Sequence, residues 1–232
     1  PCTCGSNAVG MTFGKPLALS IGDPAGVGPE LAAAAWALRE AEGLAPFFVA
    51  GSASAIAAAA RERGLDVSVR AIAGPNEACD CFADALPVLD LGSLDYTPGR
   101  PDEKGAALAM QALVTATGLV RSGTAGALVT GPVAKARLAA VGFRYPGQTE
   151  YVAQACGISP ENAVMMLAGP NLRTVPLTVH IALSEVPRRL SSDLIVRRAR
   201  VVAAALARDF GIEQPRLAIA ALNPHAGEDG RR

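Results

Sequence analysis

What this chain has little of narrows its class before any motif is read. Its 21 basic and 21 acidic side chains cancel and its pI is near 7.2, so no whole-molecule field draws nucleic acid or an anionic membrane surface. The one arginine-rich stretch, Arg197, Arg198 and Arg200, has apolar residues interleaved at helical spacing and reads as a solvated helix face. Long apolar runs are also missing. The alanine-rich segments at 32–37 and 55–60 are broken by Arg and Glu well before the ~18 residues that a spanning helix needs. The first residues, PCTCGSNAVG, carry neither the charged start nor the apolar stretch of a signal peptide; residues 1–14 read as a disordered leader, and the cytoplasm is the default location. Five cysteines, at 2, 4, 79, 81 and 156, are odd in number and unevenly spaced, a poor disulfide framework. The two C-x-C pairs are too tight for the usual C-x2-4-C zinc spacing. No repeat or low-complexity tract stands out, and there is no G-x-G-x-x-G or Walker loop.

What is present is a globular composition. Half of the 232 residues are hydrophobic and 18% are charged, which excludes a disordered or collagen-like chain. At this length roughly 70% of the unfolded surface can be buried, which suits one or two domains. Apolar β-type runs at 17–21, 47–50, 67–72, 127–130, 164–167, 174–180 and 217–222 alternate with helical stretches at 29–42, 52–64, 104–121, 134–141, 148–156 and 187–210. Strand–helix alternation predicts βαβ units and a largely parallel sheet covered on both faces.

In such sheets ligands bind beyond the carboxyl ends of strands, and the informative residues gather there. GDPAGVGPE, starting at Gly22, follows the first run and opens a helix, a turn that is either a plain connection or an anion cradle. Asp23 within it is a ligand contact or a helix cap. VTGPVAK places Lys135, one of three lysines, in the first turn of a helix, where the dipole disfavours a cation; an anionic ligand and a solvated surface lysine are both open readings. YPGQTE presents Gln148 and Thr149 at a helix start, as donors or as a capping turn. The two histidines, His180 and His225, each close an apolar run. They are satisfied strand-end groups or two ligands of a divalent metal, which would need a third.

Taken together and in order, LALSIGDPAGVGPE, GALVTGPVAK, YPGQTEYVA, VMMLAG, VPLTVHIAL and ALNPHAGEDG resemble the 4-hydroxythreonine-4-phosphate dehydrogenase (PdxA) family of vitamin B6 synthesis, over essentially residues 15–232. The resemblance implies a two-domain, three-layer α/β/α architecture of the isocitrate/isopropylmalate dehydrogenase type, with a first α/β domain at 15–130 and a second at 131–232. It also implies a homodimer that binds NAD or NADP without G-x-G-x-x-G, a divalent metal (zinc, magnesium or cobalt) and a small phosphorylated substrate. By matching position, His180 and His225 stand for two of three metal-binding histidines and Thr149 for a substrate-phosphate contact. Gln148 stands where the family pattern has histidine. The third histidine and later substrate contacts fall in a C-terminal part that is expected to be lacking here.

The implied chemistry is oxidation of 4-phosphohydroxy-L-threonine by NAD followed by decarboxylation, with Lys135 as a proton donor or electrostatic stabiliser and Asp23 as a substrate-side contact. Two other readings stand beside it. One keeps the fold but changes the substrate to a phosphorylated sugar acid or a cyclic diol carboxylate, because glutamine at 148 supplies only neutral donors where histidine can supply charge. The other is a non-catalytic phosphometabolite-binding module.

Overall fold

A computed structural model describes residues 14–179, 181–221, 223 and 225. The expected leader, apart from Gly14, and the expected metal ligand His180 lie outside the described residues. The chain divides between Gly147 and Gln148 into two compact units, and each is taken by itself.

The first unit is built on five parallel strands: β1 (Leu17–Ser20), β2 (Phe47–Gly51), β3 (Val69–Ala71), β4 (Leu86–Asp90) and β5 (Leu128–Thr130). They lie in the order β3-β4-β2-β1-β5. β2 is FFVAG and every residue of it is buried, as befits a central strand covered on both faces. The connecting helices are α1 (Gly28–Ala37), α2 (Ala53–Glu62), the single turn α3 (Ala78–Cys81) and α4 (Glu103–Arg121). The short helix α5 (Lys135–Ala140) follows β5. From β1 the chain steps one way to β2 and onward to β3, then returns past β2 and β1 to β5. Right-handed crossovers therefore put α1 and α2 on one face and α4 on the other. α4 shows how the sequence directs this. Asp102 caps it by accepting from the Gly105 N–H at 2.7 Å, and Ala106, Ala109, Ala112, Leu113 and Ala116 line its buried face, spaced three and four apart. Small alanine side chains let this helix lie close against β1 and β2.

β4 was not among the expected strands, and it holds a proline, which is disfavoured in an inner strand. Pro87 is tolerated because pairing with β2 begins only at Val88. On the other side Leu86 donates to Ser68 at 2.8 Å and Val88 accepts from Ile72 at 2.9 Å, so the missing N–H leaves no ladder bond unmade.

The second unit contains α6 (Gln148–Ala155), a two-residue antiparallel pair of β6 (Leu167–Ala168) with β7 (Arg173–Thr174), the turn α7 (Val186–Arg189) and the long α8 (Ser192–Phe210). The helix expected over 187–210 is interrupted at Leu190 and Ser191; Ser191 is extended and caps α8 by accepting from the Leu194 N–H at 3.2 Å. Gly211, left-handed at φ 65°, ends it. The extended strands expected over 174–180 and 217–222 do not form among the described residues beyond Thr174. An apolar run becomes a strand only where a neighbour completes its ladder, and no described segment pairs with 175–179 or 217–221.

Cys81 is a buried free thiol and Cys156 an exposed one, whereas Cys79 is disulfide-bonded, so a disulfide forms although the spacing of the cysteines makes a poor framework for one. Among the described residues no helix is long and apolar enough to cross a membrane.

Candidate functional site

The carboxyl ends of β1 and β5 are adjacent, with Ser20 in register with Thr130, so the two glycine-rich turns leave the sheet side by side. They are bonded to each other. The Asp23 N–H donates to the Pro132 carbonyl at 2.9 Å, and the Gly131 N–H donates to the Ser20 carbonyl at 2.8 Å. Glycine is required for so close an approach: a Cβ on Gly22 would sit 2.4 Å from the Pro132 oxygen, and one on Gly131 would sit 2.5 Å from the Ile21 oxygen. Gly22 also adopts φ 76°, which L-residues with a side chain resist.

Asp23 is only 8% exposed, and its carboxylate accepts from the Ala25 N–H at 3.0 Å while its carbonyl accepts from Gly26 at 2.9 Å. It closes the turn that leads into α1. Lys135 is the first residue of α5, is exposed, and follows an N-cap residue, Ala134, whose side chain offers no bond. The structure thus brings the Asp23 and Lys135 turns together on one sheet edge. Gln148 and Thr149 open α6 in the second unit, Gln148 half-buried and Thr149 exposed. His225 is exposed, and its N–H donates to Asn223 Oδ1 at 2.9 Å; the run before it is not a strand, for the pairing reason given above. Among the described residues no three His, Cys, Asp or Glu side chains gather as a metal site.

Sequence reasoning missed the other wall of this edge, the segment 91–100 that follows β4. Tyr96 donates its hydroxyl to Glu30 Oε1 at 2.6 Å, and Arg63 reaches Glu30 Oε2 at 2.6 Å. The Tyr96 bond, with help from Arg63, holds the Glu30 carboxyl below its usual range against the opposing effect of burial. Burial first, then the bond to Glu30, pushes the Tyr96 phenol up to about 12. Nearer β4, Ser52 Oγ accepts from the Leu94 N–H at 3.2 Å, Ser54 and Ser93 hydroxyls meet at 3.1 Å, and Asp90 Oδ1 accepts from Ala53 at 3.1 Å. The Gly99 N–H closes on the Ala25 carbonyl at 2.8 Å. The strap so held borders a cavity of about 280 Å³ between Pro24–Ala25 and the start of α4. The one available signal was Glu30 itself, the last residue of GDPAGVGPE.

The family model for the pyridoxal phosphate biosynthetic protein PdxA matches residues 43–231. The chain belongs to the PdxA family. A 4-hydroxythreonine-4-phosphate dehydrogenase of Erythrobacter litoralis is 53% identical over 217 residues, covering 94% of this chain and 65% of its own length. The Zymomonas mobilis enzyme of the same name is 52% identical, covering 93% of this chain and 63% of its own length. The chain thus spans somewhat less than two thirds of these PdxA relatives. Among solved structures, the Klebsiella pneumoniae 4-hydroxythreonine-4-phosphate dehydrogenase superposes with a TM-score of 0.78 at 31% identity, over 93% of this chain and 66% of that one. A terephthalate 1,2-cis-dihydrodiol dehydrogenase of Burkholderia xenovorans superposes less closely, with a TM-score of 0.60 at 29% identity over 93% of this chain and 64% of that one.

Proposed function

We propose that this chain carries out, as part of a homodimeric cytoplasmic enzyme of the isocitrate/isopropylmalate dehydrogenase type, the NAD-linked oxidation and decarboxylation of 4-phosphohydroxy-L-threonine in pyridoxal 5′-phosphate synthesis. The observation that carries this reading is the 53% identity to a relative of that name across 217 residues. The bonded turns after β1 and β5 suit the role, because they build a rigid floor at the sheet edge where α/β enzymes hold ligands. Asp23 shapes that floor through the backbone bonds it accepts and, in this reading, is a substrate-side contact of the site. Lys135, an exposed cation at a helix start, would be balanced by an anionic substrate or by the alkoxide that forms when the hydroxyl loses its proton and that becomes the ketone as hydride departs. Gln148 and Thr149 would donate hydrogen bonds to the substrate's phosphate from the first turn of α6, where the helix dipole also favours an anion. A nicotinamide cofactor, when bound, accepts the hydride.

A divalent metal held by His180 and His225 belongs to the same proposal. Among the described residues no three His, Cys, Asp or Glu side chains gather as such a centre; the metal, when bound, would polarise the substrate's hydroxyl. A second reading keeps the oxidation but takes a phosphorylated sugar acid or a cyclic diol carboxylate. It is favoured by Gln148, a neutral donor, and by the likeness to the dihydrodiol dehydrogenase. NADH absorbance decides between them. Turnover of 4-phosphohydroxythreonine, with zinc, magnesium or cobalt supplied, supports the first reading; turnover of the sugar acid or diol alone replaces it with the second, and no turnover of any leaves a binding module.

A further inference from the structure

The strap between β4 and α4 crosses the carboxyl edge of the sheet. It leaves β4, passes the start of α2, where Leu94 meets Ser52, and reaches the turn after β1, where Gly99 meets Ala25. A glycine with positive φ stands at each end of the crossing, Gly92 at 144° and Gly99 at 74°, conformations that residues with a side chain resist. Crowding does not demand glycine at either place. A Cβ on Gly99 would meet nothing within 4 Å, and one on Gly92 only the tip of Leu108 at 3.9 Å. The requirement is for backbone freedom, which is what a pivot needs.

Between the pivots only Leu94 and Tyr96 are half-buried; Ser93, Asp95, Thr97 and Pro98 are exposed. Among the described residues the strap's backbone is bonded to the rest of the fold only at Leu94 and Gly99. The Leu94 N–H donates to Ser52 Oγ at 3.2 Å, its carbonyl accepts from Ser54 Oγ at 2.9 Å, and its side chain packs on the core. Tyr96 donates to Glu30 at 2.6 Å, and Arg63 holds the other oxygen of that carboxylate at 2.6 Å. The strap borders the cavity of about 280 Å³, so it is fastened at separate points with space beside it.

We propose that residues 93–98 form a hinged lid, pivoting at Gly92 and Gly99 and latched shut by the Tyr96–Glu30 hydrogen bond, which admits the small anionic substrate to the turns after β1 and β5. The substrate rests on the dehydrogenase reading; the hinge and the latch do not. No pivot lies between Leu94 and the Gly99 N–H, so lifting the lid breaks the bonds of Leu94, Tyr96 and Gly99 as one unit. The Leu91 N–H, bonded to the Gly51 carbonyl at 2.9 Å, and the Gly105 N–H, bonded to Asp102 at 2.7 Å, lie outside the pivots and stay in place.

Amide hydrogen exchange of the 232-residue protein, read residue by residue by NMR, tests this, because exchange reports local opening. Leu94 and Gly99 should show equal protection, lower than that of Leu91 and Gly105. Tyr96→Phe should speed both by about tenfold or more, the scale of a lost hydrogen bond to a charged group, and leave Leu91 and Gly105 unchanged. Saturating 4-phosphohydroxy-L-threonine should slow both in the wild type by about tenfold. If Tyr96→Phe melts early, Glu30→Gln removes the charged acceptor of the latch and is held to the same expectation. Acceleration of only one of the pair, or acceleration that spreads to Leu91, overturns the lid. Substrate that binds by calorimetry without slowing the pair overturns its part in admission. Substrate that does not bind overturns the dehydrogenase reading, and exchange in the free protein still decides the lid.

Discussion

Gly22→Ala tests the close approach on which the candidate site depends. Gly22 has φ 76° and its missing Cβ would meet Pro132 O at 2.4 Å and Gly131 C at 2.8 Å, both backbone atoms that cannot swing aside. Gly64, which ends α2, has nearly the same conformation, φ 65°, and nothing within 4 Å of its missing Cβ. Both substitutions incur left-handed strain of about 1–2 kcal/mol. Only Gly22→Ala must also push the β5 turn away, breaking the bond from Asp23 N–H to Pro132 at 2.9 Å at a further cost of about 1 kcal/mol or more. The expected loss is about 3 kcal/mol for Gly22→Ala against about 1 kcal/mol for Gly64→Ala. For a domain of this size that corresponds to melting temperatures lower by roughly 10 °C and 4 °C. Trp36 is the single tryptophan and is buried in the first unit, so its fluorescence during urea unfolding reports that unit. Equal destabilisation by the two variants would refute the contact between the turns.

Four further outcomes are expected. Because the Glu30 carboxyl is held below its ordinary range in the folded protein, its contribution is present at neutral pH and is lost as the pH falls through the folded value; the stability gap between wild type and Glu30→Gln should close in acid, and a gap independent of pH would contradict the cluster. Tyr96, pushed up to about 12, stabilises the fold below the ordinary tyrosine value and loses that contribution as the pH rises toward 12; ultraviolet titration should show a late phenol in the wild type that is missing from Tyr96→Phe, and loss of an early phenol instead would count against the bond to Glu30. Trp36→Phe removes the indole N–H that donates to the buried Phe82 carbonyl at 2.9 Å, and urea titration should show a loss of about 1–3 kcal/mol. Gln148→His should lower the Michaelis constant for the phosphorylated substrate, and an unaltered constant would remove residue 148 from phosphate binding.

The parts of the fold that were readable in advance are those written locally. Apolar runs led to β1, β2 and β5, Asp102 and the alanine stripe define α4, and Gly64 stops α2 where it was expected to. β4 escaped because the meaning of Pro87 depends on which neighbour faces its missing N–H, and that is a property of the sheet. The runs at 174–180 and 217–222 have strand-like composition, yet a strand is a relation between two segments, and composition names only one of them. The candidate site divides in the same way. Its residue types and their order along the chain carried the family likeness, whereas the strap of Tyr96 on Glu30 joins residues 66 apart and has no local signature.

By itself, then, the sequence determined the class of the first unit and the family, because strand–helix alternation, helix caps and ordered motifs are properties of neighbouring residues. Only the tertiary structure decided that the turns after β1 and β5 are bonded together, that Asp23 is occupied by its own turn, and that a cavity opens beside it. Those facts depend on which strands lie side by side, and strand order is set by packing across the whole sheet.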